Sequence, residues 1–185
     1  MNLIIDIGNS RVKVAVMDGG EVVDFAATDN YTEDIVKKFV SKYDISRSIV
    51  SSTRGLQSCV VDSVGSIVGH CLFFDTDVRV PIDISYATPH TLGRDRLAAA
   101  VGAREMFGEK DMLIVDFGTA ITIDLVTRQG GFEGGSISAG VMLRFRALHD
   151  FTAVLPLCEP TFEELEVART TKDAVMQGVM NGICY

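Results

Sequence analysis

The chain of 185 residues lacks most of the features that assign function at a glance. Its four cysteines, Cys59, Cys71, Cys158 and Cys184, include no Cys-x-x-Cys pair, and no cysteine–histidine cluster has zinc spacing. Reduced thiols in a cytoplasmic protein are the simplest reading. His70, His90 and His149 stand far apart, which favours surface or packing roles over catalysis. Positive charge is scarce: 17 Lys and Arg face 25 Asp and Glu, a net charge of −8. A general nucleic-acid groove is therefore not expected. No apolar run reaches the roughly 18 residues of a membrane span, so no membrane partner is expected. The opening "MNLIID" lacks the basic region and long apolar stretch of a signal peptide.

What is present is apolar material in short pieces. Hydrophobic residues make up 47% of the chain, enough to fill the core of one large domain or two small ones. "NLIIDIG", "RVKVAVM" and "EVVDFAA" are β-branched runs separated by "GNS" and "DGG". They read as strands, with "DGG" as a hairpin turn. "TEDIVKKFVSKY" places Ile35, Val36, Phe39 and Val40 at helical spacing, with Thr32 as N-cap. A strand near "SRSIVSS", a weaker helix in "GLQSCVVDSVGSIV" and a strand at "CLFFD" follow. "VPIDISYATPHTLGRDR" reads as mostly extended, and "DRLAAAVGAREMF" as an alanine-rich helix stopped at Gly108. "DMLIVDFG" and "AITIDLVT" suggest a second hairpin, and "QGGFEGGSISAG" a glycine-rich turn region. "VMLRFRALHDF", "EELEVA" and "KDAVMQGVMNGICY" read as helical. The acidic pair Glu163 and Glu164 fits a solvated helix face. The order predicts two α/β lobes, 1–109 and 110–185, each opening on an antiparallel hairpin. The apolar, uncapped ending "GVMNGICY" leads to the expectation of a longer natural protein.

One phrase occurs twice. "LIIDIGNSRVKVAV", Leu3 to Val16, aligns without gaps on "LIVDFGTAITIDLV", Leu113 to Val126, at a constant offset of 110 residues. Asp6 meets Asp116, Gly8 meets Gly118, and Asn9 meets Thr119. A carboxylate ending a buried strand is costly without a partner. The glycine allows close approach of a bulky anion. The turn N–H groups, with the Asn9, Ser10 or Thr119 side chains, can bond phosphate oxygens. The carboxylate then makes sense with a cation between it and the phosphate, and magnesium takes one or two carboxylates plus phosphate oxygens. A single Asp-x-Gly is usually only a turn; two copies, each between apolar strands, point to a polyphosphate clamp.

These phrases resemble the phosphate-1 and phosphate-2 motifs of the acetate and sugar kinase, heat-shock cognate and actin superfamily. Within it, the motif order is similar to that of type III pantothenate kinase. "DIGNSRVKVAV", "YATPHTLGRDRLAAAVGA" with its G-x-D-R core, "DFGTAITIDLV", "GGSISAG", "ALHDFTAVLP" and "TTKDAVMQG" follow in the family's order. Alanine stands at Ala139 where the family usually has proline, and Thr170 where it often has asparagine. The family's C-terminal T-G-G-like segment has no counterpart here.

The resemblance implies an α/β fold of two ribonuclease-H-like lobes with ATP in the cleft between them. It implies ATP-dependent phosphorylation of pantothenate, the first step of coenzyme A synthesis. Asp6, Ile7, Gly8, Asn9, Ser10, Arg11, Val12 and Lys13 would line the ATP phosphates, with Thr119 adding a contact. Asp6 would act through hydrated magnesium, and Asp116 would bind a monovalent cation, potassium or ammonium. Gly93, Arg94, Asp95 and Arg96 would hold pantothenate beside Tyr86, with Asp95 as general base. Thr171 would reach pantothenate from the neighbouring subunit of a homodimer.

The residues themselves allow part of this. Asp95 suits a helix N-cap as well as a base for a primary alcohol. An arginine fork at Arg96 suits a carboxylate, and Arg94 reads as a surface residue. Alternatives are a non-catalytic transcriptional accessory regulator of the same fold and an actin-like filament protein; the latter would have no use for G-x-D-R.

Overall fold

The computed structural model of the protein describes residues 1–55, 58–161 and 167–184. Glu163 and Glu164, and with them most of the helix expected in "EELEVA", lie outside the described residues. The chain packs as a mixed α/β structure in two compact units: Met1–Met112 with Val126–Gly134, and Leu113–Leu125 with Gly135–Tyr185.

In the first unit, β1 (Asn2–Ile7), β2 (Val12–Asp18) and β3 (Glu21–Thr28) form the expected meander. β1 pairs antiparallel with β2 and parallel with β4 (Arg47–Ser52), which pairs parallel with β5 (Cys71–Phe73). The sheet order is β3-β2-β1-β4-β5. Alternation decides which face is inside: Leu3, Ile5 and Ile7 of β1 and Val12, Val14 and Val16 of β2 are all buried. Opposite them pack Val36 and Phe39 of α1 (Glu33–Lys42) and Val60 and Val64 of α2 (Ser58–Val68). Each such side chain contributes about 1.5–3 kcal/mol on burial.

The helix ends follow the sequence closely. Thr32 is the N-cap of α1 in extended conformation, but its side chain makes no cap bond. Glu33 and Asp34 in the first turn and Lys42 in the last complement the helix dipole instead. After β5 the chain is irregular through a 3-10 turn at Pro89–Thr91, then enters α3 (Arg94–Phe107), which ends at Gly108 as expected. Ile84 makes an isolated parallel bridge to Phe132.

A second sheet has the three-stranded order β6-β7-β8, from β6 (Met112–Phe117), β7 (Ala120–Thr127) and β8 (Gly131–Ala139); Leu113–Leu125 and the part of β8 from Gly135 on belong to the second unit. Here the expectation of a glycine-rich turn region is corrected: most of "QGGFEGGSISAG" is strand. A Cβ on Gly135 would collide with the Ile123 carbonyl and the Asp124 side chain. The glycine is therefore there to let strands approach, not to make a turn. Helices α4 (Val141–Asp150) and α5 (Thr171–Cys184) pack through Phe145, Val175 and Val179 with Cys158. Arg144 fastens them by donating from Nη1 to the Gly182 carbonyl at 2.8 Å.

Candidate active site

The turn between β1 and β2 is a four-residue loop, Gly8–Arg11, at the carboxyl end of β1. The Gly8 N–H donates to the Arg11 carbonyl at 3.0 Å and closes it. A Cβ on Gly8 would sit 3.2 Å from that carbonyl, tighter than side chains normally tolerate. Asp6 and Lys13 face each other in register, with Lys13 Nζ 3.5 Å from Asp6 Oδ2. Asn9, Ser10 and Arg11 are exposed. Ile7 and Val12 belong to the core, 2% and 0% exposed, so only their backbone groups can serve a phosphate.

A second group of expected residues gathers at the start of α3. Asp95 is not the N-cap; Gly93 is, because the helix begins at Arg94. Asp95 lies in the first turn, exposed, and its Oδ1 accepts the Arg96 N–H at 2.9 Å. Arg94 is not a simple surface residue either. Its guanidinium donates to the carbonyls of Leu92 (2.9 Å from Nη2), Pro89 (3.0 Å) and Asp75 (3.3 Å), so it staples the turn that precedes the helix. Arg96 is 7% exposed. Its guanidinium carbon lies 5.8 Å from the Tyr86 ring centre and 5.5 Å from that of Phe132. The two rings meet edge to face at 5.9 Å. This arrangement keeps a cation desolvated on aromatic faces, worth up to about 2 kcal/mol. The structure thus brings Arg96 to Tyr86, with Gly93 and Asp95 beside Arg96 at the start of the same helix.

Nothing in the motifs points to Phe132; its one signal in the sequence is an aromatic residue set among glycines in "GGFEGG", a stretch that reads as a turn. It is fully buried at the start of β8.

The second phrase is built differently. Gly118 donates from its N–H to the Ala120 carbonyl at 3.0 Å, so only Gly118 and Thr119 separate β6 from β7. Gly140, at the N-cap of α4, donates to the Thr119 carbonyl at 2.9 Å. Asp116 and Thr119 are exposed. Asp124, in the same hairpin, is 2% exposed and was not singled out from the sequence. Thr171 is exposed at the start of α5, just after Thr170, whose hydroxyl oxygen accepts the Asp173 N–H at 3.1 Å. It borders an apolar groove lined by Leu148, Leu155, Val175 and Val179.

Comparisons with known proteins follow the same lines. A family model described as type III pantothenate kinase matches residues 2–185. A type III pantothenate kinase of Bacteroides fragilis (strain YCH46) is 38% identical over 185 residues, spanning 100% of this chain and 76% of that protein. One from Cytophaga hutchinsonii is 37% identical, spanning 100% of this chain and 77% of that protein. Among solved structures, a conserved Campylobacter jejuni protein described as a candidate Baf family transcriptional activator superposes with TM-score 0.61 at 21% identity, covering 98% of this chain and 75% of that one. That likeness is one of fold. The chain belongs to the type III pantothenate kinase family.

Proposed function

We propose that this chain transfers the γ-phosphoryl group of ATP to the 4′-hydroxyl of pantothenate, opening coenzyme A synthesis. The observation that carries the reading is the match to the kinase family along residues 2–185. The geometry at the start of α3 supports it. Arg96, held against Tyr86 and Phe132, offers a fixed fork for the pantothenate carboxylate. Asp95 has one oxygen engaged by the Arg96 N–H and its other oxygen to take a proton. As the alcohol oxygen bonds to the γ-phosphorus, the bond to the β–γ bridging oxygen breaks. The hydroxyl proton passes to Asp95, and phosphopantothenate and ADP leave.

Gly8, Asn9, Ser10 and Arg11 would hold the ATP phosphates through the loop backbone and polar side chains, with Ile7 and Val12 contributing backbone only and Lys13 a positive charge. Thr119 would add a hydroxyl. Among the described residues no group of three His, Cys, Asp or Glu side chains forms a metal cage. Asp6 alone fits a magnesium ion whose other ligands are phosphate oxygens and water. Such an ion, when bound, neutralises phosphate charge. Asp116, exposed at the end of β6, would serve a potassium or ammonium ion. Thr171 would complete the neighbouring site of a homodimer, and the cytoplasm is the expected compartment. The structural likeness under 25% identity gives the regulator reading no support of its own.

The decisive experiment is a phosphorylation assay with pantothenate beside a panel of other small alcohols, with magnesium and potassium present. Selective turnover of pantothenate is expected, and absence of turnover rejects the activity. Asp95→Asn is expected to lower kcat by roughly 10²–10⁴ with fold retained. Near-normal turnover in that variant would remove Asp95 as the base.

A further inference from the structure

The Gly8–Arg11 loop is braced from a strand that does not belong to its hairpin. β4 runs parallel to β1, with Ser51 beside Asp6 and Ser52 beside Ile7. Just beyond β4, the Thr53 N–H donates to the Ile7 carbonyl at 3.0 Å, and the Thr53 hydroxyl reaches the same oxygen at 3.3 Å. The Arg54 N–H donates to the Ser52 hydroxyl oxygen at 3.2 Å, which fixes the turn. From that turn, Arg54 Nη2 donates to the Asn9 carbonyl at 2.8 Å. The chain is thus held on both sides of Gly8 by two consecutive residues of another strand end.

We infer that Arg54 is a positioning residue for the phosphate loop, a role that rests on reading Gly8–Arg11 as the ATP phosphate site. The argument is one of peptide geometry. In a trans peptide the C=O of one residue and the N–H of the next point in opposite directions, and the chain has no cis peptide bonds among its described residues. Pinning the Asn9 carbonyl toward Arg54 therefore aims the Ser10 N–H away from Arg54. The hydrogen bond sets which way a loop donor faces. It also holds a permanent positive charge beside the loop, where phosphate charge would gather.

The surroundings leave Arg54 to this task. It lines a cavity of about 400 Å³ with Ile7, Val12, Tyr31, Glu33 and Ser63. Among the described residues, the one carboxylate in that lining, Glu33, is taken by Lys37 at 3.0 Å and by the Ser63 hydroxyl at 2.9 Å. It does not draw the guanidinium away from the loop carbonyl.

The test compares Arg54→Ala, Arg54→Gln and Arg54→Lys with the unaltered chain. Steady-state kinetics would be combined with calorimetric titration of ATP and magnesium, and with thermal melts. Arg54→Ala is expected to raise both the KM and the Kd for ATP about tenfold to a hundredfold, the size of losing a charged hydrogen bond. The KM for pantothenate should stay within about twofold, since that substrate would lie with Arg96 and Tyr86. Arg54→Lys should recover most of the loss, and Arg54→Gln less, because it restores a donor without charge. ATP constants unchanged in Arg54→Ala, or equal losses for both substrates, would overturn the assignment. If Arg54→Ala melts before assay, the Lys and Gln variants decide by the same split. An unaltered chain that binds no ATP would fail the phosphate-loop reading itself, and the inference with it; one that binds ATP but leaves pantothenate untouched still tests Arg54 through the Kd.

Discussion

Leu3 and Leu113 hold the same place in nearly the same phrase, yet one is 0% exposed and the other 70%. The difference runs along the strands. Leu3, Ile5 and Ile7 are buried beneath α1 and α2, whereas Leu113, Val115 and Phe117 all stand exposed. The turns differ as well: four residues separate β1 from β2, and two separate β6 from β7. Lys13, which faces Asp6 across the first hairpin, is matched at the constant offset by Ile123. A repeated phrase therefore specifies a repeated strand–carboxylate–glycine unit. It does not specify the packing around it, which comes from the helices that follow, nor the turn, which depends on the residues after the glycine.

Large-to-small substitutions give the sharpest contrast. Leu3→Ala should destabilise the chain by about 2–5 kcal/mol, while Leu113→Ala should stay within about 0.5 kcal/mol. Urea unfolding of the two variants measures this, and equal losses would mean that the face of β6 is as well packed as that of β1. Next is the glycine pair. A methyl on Gly8 would lie 3.2 Å from a carbonyl and one on Gly118 3.5 Å, so Gly8→Ala should weaken ATP binding several-fold more than Gly118→Ala. Calorimetric titration of ATP would show it, and the reverse ranking would mean that the second turn is the tighter anion site. The carboxylates can be separated by salt. Asp116→Asn should abolish the dependence of turnover on potassium, and Asp6→Asn should leave it in place while raising the magnesium requirement. A potassium titration with the same midpoint in both variants would end the division of roles.

The smallest effect is a pH dependence confined to the first unit. Asp24 on β3 is held to about 2 by hydrogen bonds from Lys42 and Tyr43. Its folded value is below the ordinary one, so its contribution is present above about pH 4 and fades as pH falls toward 2. Lys42 is exposed and Asp24 only half-buried, so the contribution is modest. Asp24→Asn should lower the thermal midpoint slightly near neutrality, with the gap to the unaltered chain closing as pH falls from about 4 toward 2, as acid titration of both midpoints would reveal.

The elements that could be read in advance share a cause. Short β-branched runs bounded by turn residues mark "NLIIDI" and "VKVAVMD" as strands, and alanine with a terminal glycine defines α3. β8 was missed because glycine counts for turns when a sequence is read alone, although Gly135 answers to a neighbouring carbonyl. The clustering of Tyr86 with Arg96 followed from motif resemblance. The part played by Phe132 did not, since that residue enters from another strand. Aspartate's strength as a cap puts the expected start of α3 at Asp95, two residues later than its actual cap, Gly93. Arg54 and Thr53 carry no motif at all; only the parallel register of β4 against β1 brings them to the loop.

The Ile84–Phe132 bridge has a consequence for how this chain can vary. The Phe132 N–H donates to the Asp83 carbonyl and the Ser85 N–H to the Phe132 carbonyl, both at 2.9 Å. The long irregular stretch ahead of α3 is thus pinned near its middle, one residue before Tyr86. Insertions around Thr76–Arg79 would lengthen a free loop at little entropic expense, whereas a single added residue between Ile84 and Tyr86 would rotate the ring out of reach of Arg96. Natural length variation is then expected to collect on the near side of the bridge, and loop grafting there is a practical way to attach probes without touching the Tyr86–Arg96 pair.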